Sequence, residues 1–66
     1  MSCDAFKAKV NALILSSGSG ITVRFFTDEK GRFYADCSDG TIIIGCPSCL
    51  KVTVKWGNGH MSMAVI

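Results

Sequence analysis

Four cysteines, one histidine and five acidic side chains are the residues of this 66-residue chain whose types could do chemistry. Cys46-Pro47-Ser48-Cys49 has the spacing of a zinc knuckle or a dithiol redox motif, and Cys37 lies nine positions before it. A structural zinc takes four ligands, and a second pair of this kind is missing, so Cys46 and Cys49 stand only as a weak metal alternative. Thioredoxin-like chemistry sets its first cysteine at a helix N-terminus, which lowers the thiol pKa, whereas this pair reads as flanking a strand-to-strand turn. A Cys–His dyad between His60 and Cys46 or Cys49 would have to span about 17 Å of sheet, at ~3.3 Å per residue. Asp28 and Glu29 stand next to Lys30 and Arg32 in a stretch that reads as a solvated loop tip. The glycines fall at turns and at a helix end, with no phosphate-cradling run opening a helix. No catalytic residue, cofactor or small-molecule substrate is expected, and the chain reads as a non-enzyme.

If these residues are not catalytic, the elements that position them carry the function. A composition 48% hydrophobic and 18% charged, with one proline, describes one compact domain, residues 1–66, and excludes disordered, collagen-like and coiled-coil readings. The net charge of +2 is too mild to argue a nucleic-acid or membrane partner by itself. The longest N-terminal apolar run, Ala12 to Leu15, is shorter than a secretory core or a spanning helix requires, so a cytoplasmic setting and no membrane contact are expected. In that setting thiols stay reduced. Cys37 and Cys46 then read as small core side chains, Cys3 as lying near the helix–sheet seam, and Cys49 as a turn thiol.

A helix is expected over about residues 3–17, with Ser2 as N-cap, Asp4 in the first turn and Gly18 at its end. Phe6, Val10, Leu13, Ile14 and Ser17 follow the spacing of an inward stripe, while Ala5, Ala8, Ala12 and Leu15 form a second apolar stripe behind it. Residues 16–20 join helix to sheet. From Ile21 the period becomes two, and strands are expected over about 21–28, 32–38, 41–46, 50–57 and 60–66.

Four turns set the registers. A three-residue loop Glu29-Lys30-Gly31 pairs Phe25 with Ala35, Val23 with Cys37, Phe26 with Tyr34 and Arg24 with Asp36. Asp39-Gly40 and Asn58-Gly59 read as two-residue turns, and Pro47-Ser48-Cys49 as a three-residue loop. These would set Cys37, Ala35 and Phe33 opposite Ile42, Ile44 and Cys46. The next strand would then place Leu50, Val52 and Val54 against Cys46, Ile44 and Ile42, and the last would place Met61, Met63 and Val65 against Trp56, Val54 and Val52. One apolar face runs continuously in this arrangement. The expected fold is therefore α+β: an N-terminal helix packed on one face of a five-stranded antiparallel meander, order 1-2-3-4-5, either open or curled toward a half-barrel.

The outer face of that sheet is the candidate binding surface, with Arg24, Phe26, Tyr34, Asp36, Ile43, Lys51, Thr53 and Lys55 as its candidates, beside Thr22, Ser38, Thr41, Gly45, Ser62 and Ala64. The favoured partner is another protein or a second copy of the chain, because a domain this small without a disulfide or metal gains its remaining stability by associating. Self-association could also use Ala5, Ala8, Ala12 and Leu15, or the terminal strand from Met61 to Ile66, which carries no charge to discourage edge pairing. The alternative is weak, salt-sensitive binding of single-stranded nucleic acid, with Phe26 and Tyr34 stacking on bases and Arg24, Lys51 and Lys55 meeting phosphates.

Overall fold

The computed structural model describes residues 1–18 and 20–66, Ser17 by its backbone alone. One helix, α1 (Cys3–Ser17), precedes five strands: β1 (Val23–Thr27), β2 (Phe33–Cys37), β3 (Ile42–Gly45), β4 (Lys51–Lys55) and β5 (Met61–Val65). The strands form one open antiparallel sheet in the order β1-β2-β3-β4-β5. The expected α+β meander is thus present, as a sheet that does not close into a barrel. Strand ends lie one or two residues inside the expected bounds. The expected inward position of Ser17 lies outside the described residues, as does the Ser19 part of the helix–sheet connection. No described helix is long and apolar enough to cross a membrane.

The helix begins as its sequence dictates: the Ser2 hydroxyl accepts the Ala5 N–H at 3.1 Å, and Asp4 lies in the first turn. Phe6, Val10 and Ile14, spaced four apart, form its buried stripe and meet Ala35, Cys37, Ile43, Val52 and Val54 of the sheet. The Phe6 ring lies 5.5 Å from Phe33 and meets Phe25 edge-on at 6.3 Å. Gly45 makes this seat possible, because a Cβ there would come within 2.9 Å of the Phe6 ring. Any larger residue at that inward position would have to lift the helix.

The first hairpin has the expected register, from Val23 opposite Cys37 to Phe26 opposite Tyr34. The other three registers each differ by one residue. Ala35 stands opposite Ile43 and Asp36 opposite Ile42. Ile43 faces Val54 and Ile44 faces Thr53. Val54 faces Ser62 and Val52 faces Ala64. The pairings expected for Ile42, Ile44, Cys46, Leu50, Met61, Met63 and Val65 are all replaced.

The cause is turn chemistry. A two-residue turn of the kind read at Asp39-Gly40 needs positive φ at both residues, but only the glycine adopts it, at 93°. The loop therefore widens to Ser38-Asp39-Gly40, closed by the Cys37 N–H on the Thr41 carbonyl at 2.9 Å. The Asp39 carboxylate accepts the Thr41 N–H at 2.9 Å and holds it there. The fourth turn repeats this: Gly57-Asn58-Gly59 is a three-residue loop closed by the Trp56 N–H on the His60 carbonyl at 2.7 Å, and the Asn58 side chain accepts the His60 N–H. In the third turn one residue is added on the other side, so that residues 47–50 connect Cys46 to Lys51.

Each one-residue shift exchanges the two faces of the following strand. The second turn inverts β3, the third restores β4, and the fourth inverts β5. Thr41, Ile43 and Gly45 are buried, while Ile42 is exposed and Ile44 half-buried on the other side. On β5, Ser62 and Ala64 turn inward, and Met61, Met63 and Val65 turn out. Two polar groups reward this arrangement. The Trp56 indole N–H donates to the Ser62 hydroxyl at 3.0 Å, and the buried Thr41 hydroxyl accepts the Gly57 N–H at 3.3 Å.

Two of the four cysteines depart from expectation, while Cys37 takes its expected place in the core. Cys46 and Cys49 form a disulfide across the third turn, where they were expected as a core side chain and a free turn thiol. Their Cα atoms are 5.2 Å apart because the turn folds back on itself, with the Cys49 N–H on the Cys46 carbonyl. Cys37 is a buried free thiol, and Cys3 is exposed. Burial pushes the Cys37 thiol pKa up, and the negative charges of Asp39 and Asp36 add to the effect.

Candidate binding face of the sheet

Register arranges the outer face in rows that run across the strands. One complete row reads Arg24, Asp36, Ile42, Lys55, Met61. The next reads Phe26, Tyr34, Ile44, Thr53, Met63, and Lys51 stands opposite Val65 beyond it. Five strands at ~4.8 Å spacing make the second row roughly 19 Å long. Apart from the Tyr34 hydroxyl and Thr53 it is apolar throughout. Phe26, Met63, Met61 and Val65 are each more than half exposed, with Met63 at 67%.

Seven of the eight residues expected on this face are there: Arg24, Phe26, Tyr34, Asp36, Lys51, Thr53 and Lys55. Ile43 is not. It is fully buried between Ala35 and Val54, a correction that follows from the wider second turn. Thr41, Gly45, Ser62 and Ala64, also expected outside, line the inner face. In their place come Ile42, Ile44, Met61, Met63 and Val65. Their signal was present in the sequence as Ser-Asp-Gly and Gly-Asn-Gly, triplets that suit a three-residue loop with glycine last.

Local interactions hold the β1–β2 end of the face. The Phe26 and Tyr34 rings stack 5.2 Å apart and 3° from parallel. The Tyr34 hydroxyl donates to Asp28 at 3.4 Å, and the Arg32 guanidinium donates to the same carboxylate oxygen at 2.7 Å. The other Asp28 oxygen accepts the N–H groups of Lys30 and Arg32. Desolvation pushes the Asp28 carboxyl up, but these hydrogen bonds and the Arg32 charge outweigh it and hold the carboxyl below its ordinary value. The Arg32 guanidinium is raised in turn, first by its hydrogen bond to Asp28.

Charge frames the apolar row without entering it: Arg24, Asp36 and Lys55 lie in one neighbouring row and Lys51 in the other. On the far side of the molecule, Ala8, Ala12 and Leu15 of the second helical stripe are exposed and Ala5 is half-buried. The disulfide engages both sulfurs of the weak metal alternative, Cys46 and Cys49. Among the described residues no three His, Cys, Asp or Glu side chains cluster in a way that could hold a metal ion. Comparison with protein-family models, with curated proteins and with solved structures finds no match, so a functional reading rests on the geometry of this face.

Proposed function

We propose that the chain is a small non-catalytic binding module that works by protein–protein contact through the outer face of its sheet. The observation that carries this reading is the row Phe26, Tyr34, Ile44, Thr53, Met63, widened at its β5 end by exposed Met61 and Val65. Contiguous apolar surface of this kind is uncommon on a soluble monomer unless something covers it. An apolar centre with Arg24, Asp36, Lys51 and Lys55 around it has the composition of a protein interface. Unbranched Met61 and Met63 side chains also adapt readily to a partner's relief.

The nucleic-acid alternative uses the same cations, but Phe26 and Tyr34 stack on each other and so occupy ring faces that bases would need. In a cytoplasm the glutathione pool would hold Cys46 and Cys49 as thiols. The proposed contact depends on neither redox state, because no sulfur of that pair belongs to the apolar row.

The test is co-purification with tagged native chain and with Ile42→Asp and Phe26→Asp, both at exposed positions that leave the core intact. Partner protein retained by the native chain, lost with both variants and insensitive to nuclease supports the reading. Partner material that is removed by nuclease, or by Lys51→Glu with Lys55→Glu while Ile42→Asp retains it, overturns it in favour of nucleic acid.

A further inference from the structure

Strand β5 is an edge of the sheet, and the hydrogen-bond pattern shows which of its backbone groups are free. In an antiparallel pair, residues that exchange hydrogen bonds alternate with residues that do not. The Trp56 N–H donates to the His60 carbonyl and the Ile66 N–H to the Leu50 carbonyl, so residues 60, 62, 64 and 66 face β4. Met61, Met63 and Val65 consequently direct their N–H and C=O groups away from the sheet. These same three residues carry the exposed apolar side chains of the outer face. Residues 61–66 contain no charge and no proline, the devices by which edge strands ordinarily avoid pairing.

We infer that the partner of this edge is a second copy of the chain, joined β5 to β5 in antiparallel fashion about a two-fold axis at Met63. The inference rests on the reading of the protein as a contact module, and it adds to the contact on the outer face a second one at the β5 edge. Met63 then pairs with Met63 of the second copy, and Met61 pairs with Val65 on each side of the axis. This register engages all three outward-facing residues, and a shift of the axis to Ser62 leaves Val65 out. Each pair exchanges two hydrogen bonds. The result is one ten-stranded sheet whose apolar rows continue through the axis.

Other edge pairings fare worse. At β1 the Lys7 ammonium lies 5.6 Å from the centre of the Phe25 ring and Arg24 belongs to the strand itself, so a β1–β1 contact would bring like charges together. A β1–β5 contact is head-to-tail and lacks the two-fold closure of a β5–β5 pair. In the β5–β5 pair the nearest cations of the two copies in one row, Lys55 and the other copy's Lys51, are three strand spacings apart, roughly 14 Å. That exceeds the Debye length of about 8 Å at physiological salt, so the cations do not oppose the contact.

Sedimentation equilibrium of the full chain, from about 10 μM to about 1 mM, is the measurement, applied to the native protein, Met63→Pro and Ile42→Asp. Met63→Pro removes an N–H that no strand of the same chain uses, the one setting in which an edge strand tolerates proline. The native chain is expected to move from 7.1 kDa toward twice that mass, Ile42→Asp to follow it, and Met63→Pro to stay monomeric with an unchanged circular dichroism spectrum. A native chain that remains monomeric, or a Met63→Pro chain that dimerises as the native one does, overturns the proposal. Dimers lost with Ile42→Asp but kept with Met63→Pro overturn the edge while leaving the face reading in place. Because Met63→Pro could fail to fold, a second measurement compares disulfide cross-linking of Met63→Cys and Met61→Cys in a Cys3→Ser background. The Met63→Cys chain is expected to link to its copy at least tenfold faster than the Met61→Cys chain, whose altered position faces Val65. Equal rates, or a faster reaction at position 61, would refute the register.

Discussion

The first and last hairpins share one loop design, a three-residue connection with glycine at its third position, yet they leave the two edges of the sheet with opposite characters. At the β1–β2 end, Asp28 ties Lys30, Arg32 and Tyr34 together, Lys7 covers Phe25, and Arg24 stands opposite Asp36. At the β4–β5 end, the loop is held by Asn58 and the strand presents Met61, Met63 and Val65 to solvent. The same loop design therefore gives a charged, self-contained edge on one side and an uncharged one on the other. The difference arises from which parity of side chains each loop turns outward.

Truncating side chains on the two sides of β3 would break the comparison most completely. Ile43→Ala is expected to destabilise the fold by about 2–4 kcal/mol, because it empties a fully buried site, whereas Ile42→Ala is expected to cost under ~1 kcal/mol. Denaturant melts measure both, and a reversed ranking would put the β3 register, and with it the apolar outer row, in error. Next in size is the covalent brace between the two hairpins. Replacing Cys46 and Cys49 with serine should cost about 2 kcal/mol by the loop-closure relation for so short a loop, with no change in association. Coupled loss of dimer and disulfide would show that the third turn, and not β5, governs the contact.

A smaller effect separates the two loops by pH. The Asp28 carboxyl is held below its ordinary value in the folded protein, so its stabilisation is present above the unfolded-state pKa and is lost as pH falls through the depressed folded one. Thermal melts of the native chain should fall across that acid range more steeply than those of Asp28→Asn. Amide exchange at Lys30 and Arg32 should quicken while that at His60 does not. Parallel melting curves would deny Asp28 its role. The smallest effect is kinetic: iodoacetamide should modify Cys3 rapidly and Cys37 slowly in the folded chain, since burial and the neighbouring carboxylates keep Cys37 a thiol. Peptide mass mapping over time gives the two rates.

Much of the fold was legible because local signals agreed with one another. Ser2, the four-residue spacing of Phe6, Val10 and Ile14, and the glycine-bearing turns each point to the helix and five strands that form. The first hairpin was legible in register as well, since Phe26 with Tyr34 and Arg24 with Asp36 are good pairs that only one alignment produces. The third strand offered no such choice. Ile42, Ile43 and Ile44 are apolar at both parities, so hydrophobic pattern cannot say which of them faces the core. On β5 the pattern misleads: Met61, Met63 and Val65 look more like core than Ser62 and Ala64 do, yet they lie outside.

The amino-acid sequence by itself determined the elements, their order and the polar framing of the outer face by Arg24, Asp36, Lys51 and Lys55, because these follow from spacing within single segments. Tertiary structure decided which side of β3 and β5 faces the core, by selecting the three-residue loop at Ser38-Asp39-Gly40 and at Gly57-Asn58-Gly59 over the two-residue turn that each sequence also allows. The Phe6 ring packs where a neighbouring Cβ would clash, a place Gly45 fills, and the Trp56 indole N–H finds its acceptor in Ser62. The first contact comes from a residue distant in the chain and the second from across the Gly57-Asn58-Gly59 loop, and the Trp56–Ser62 bond accompanies the turning of the most apolar side of β5 toward solvent.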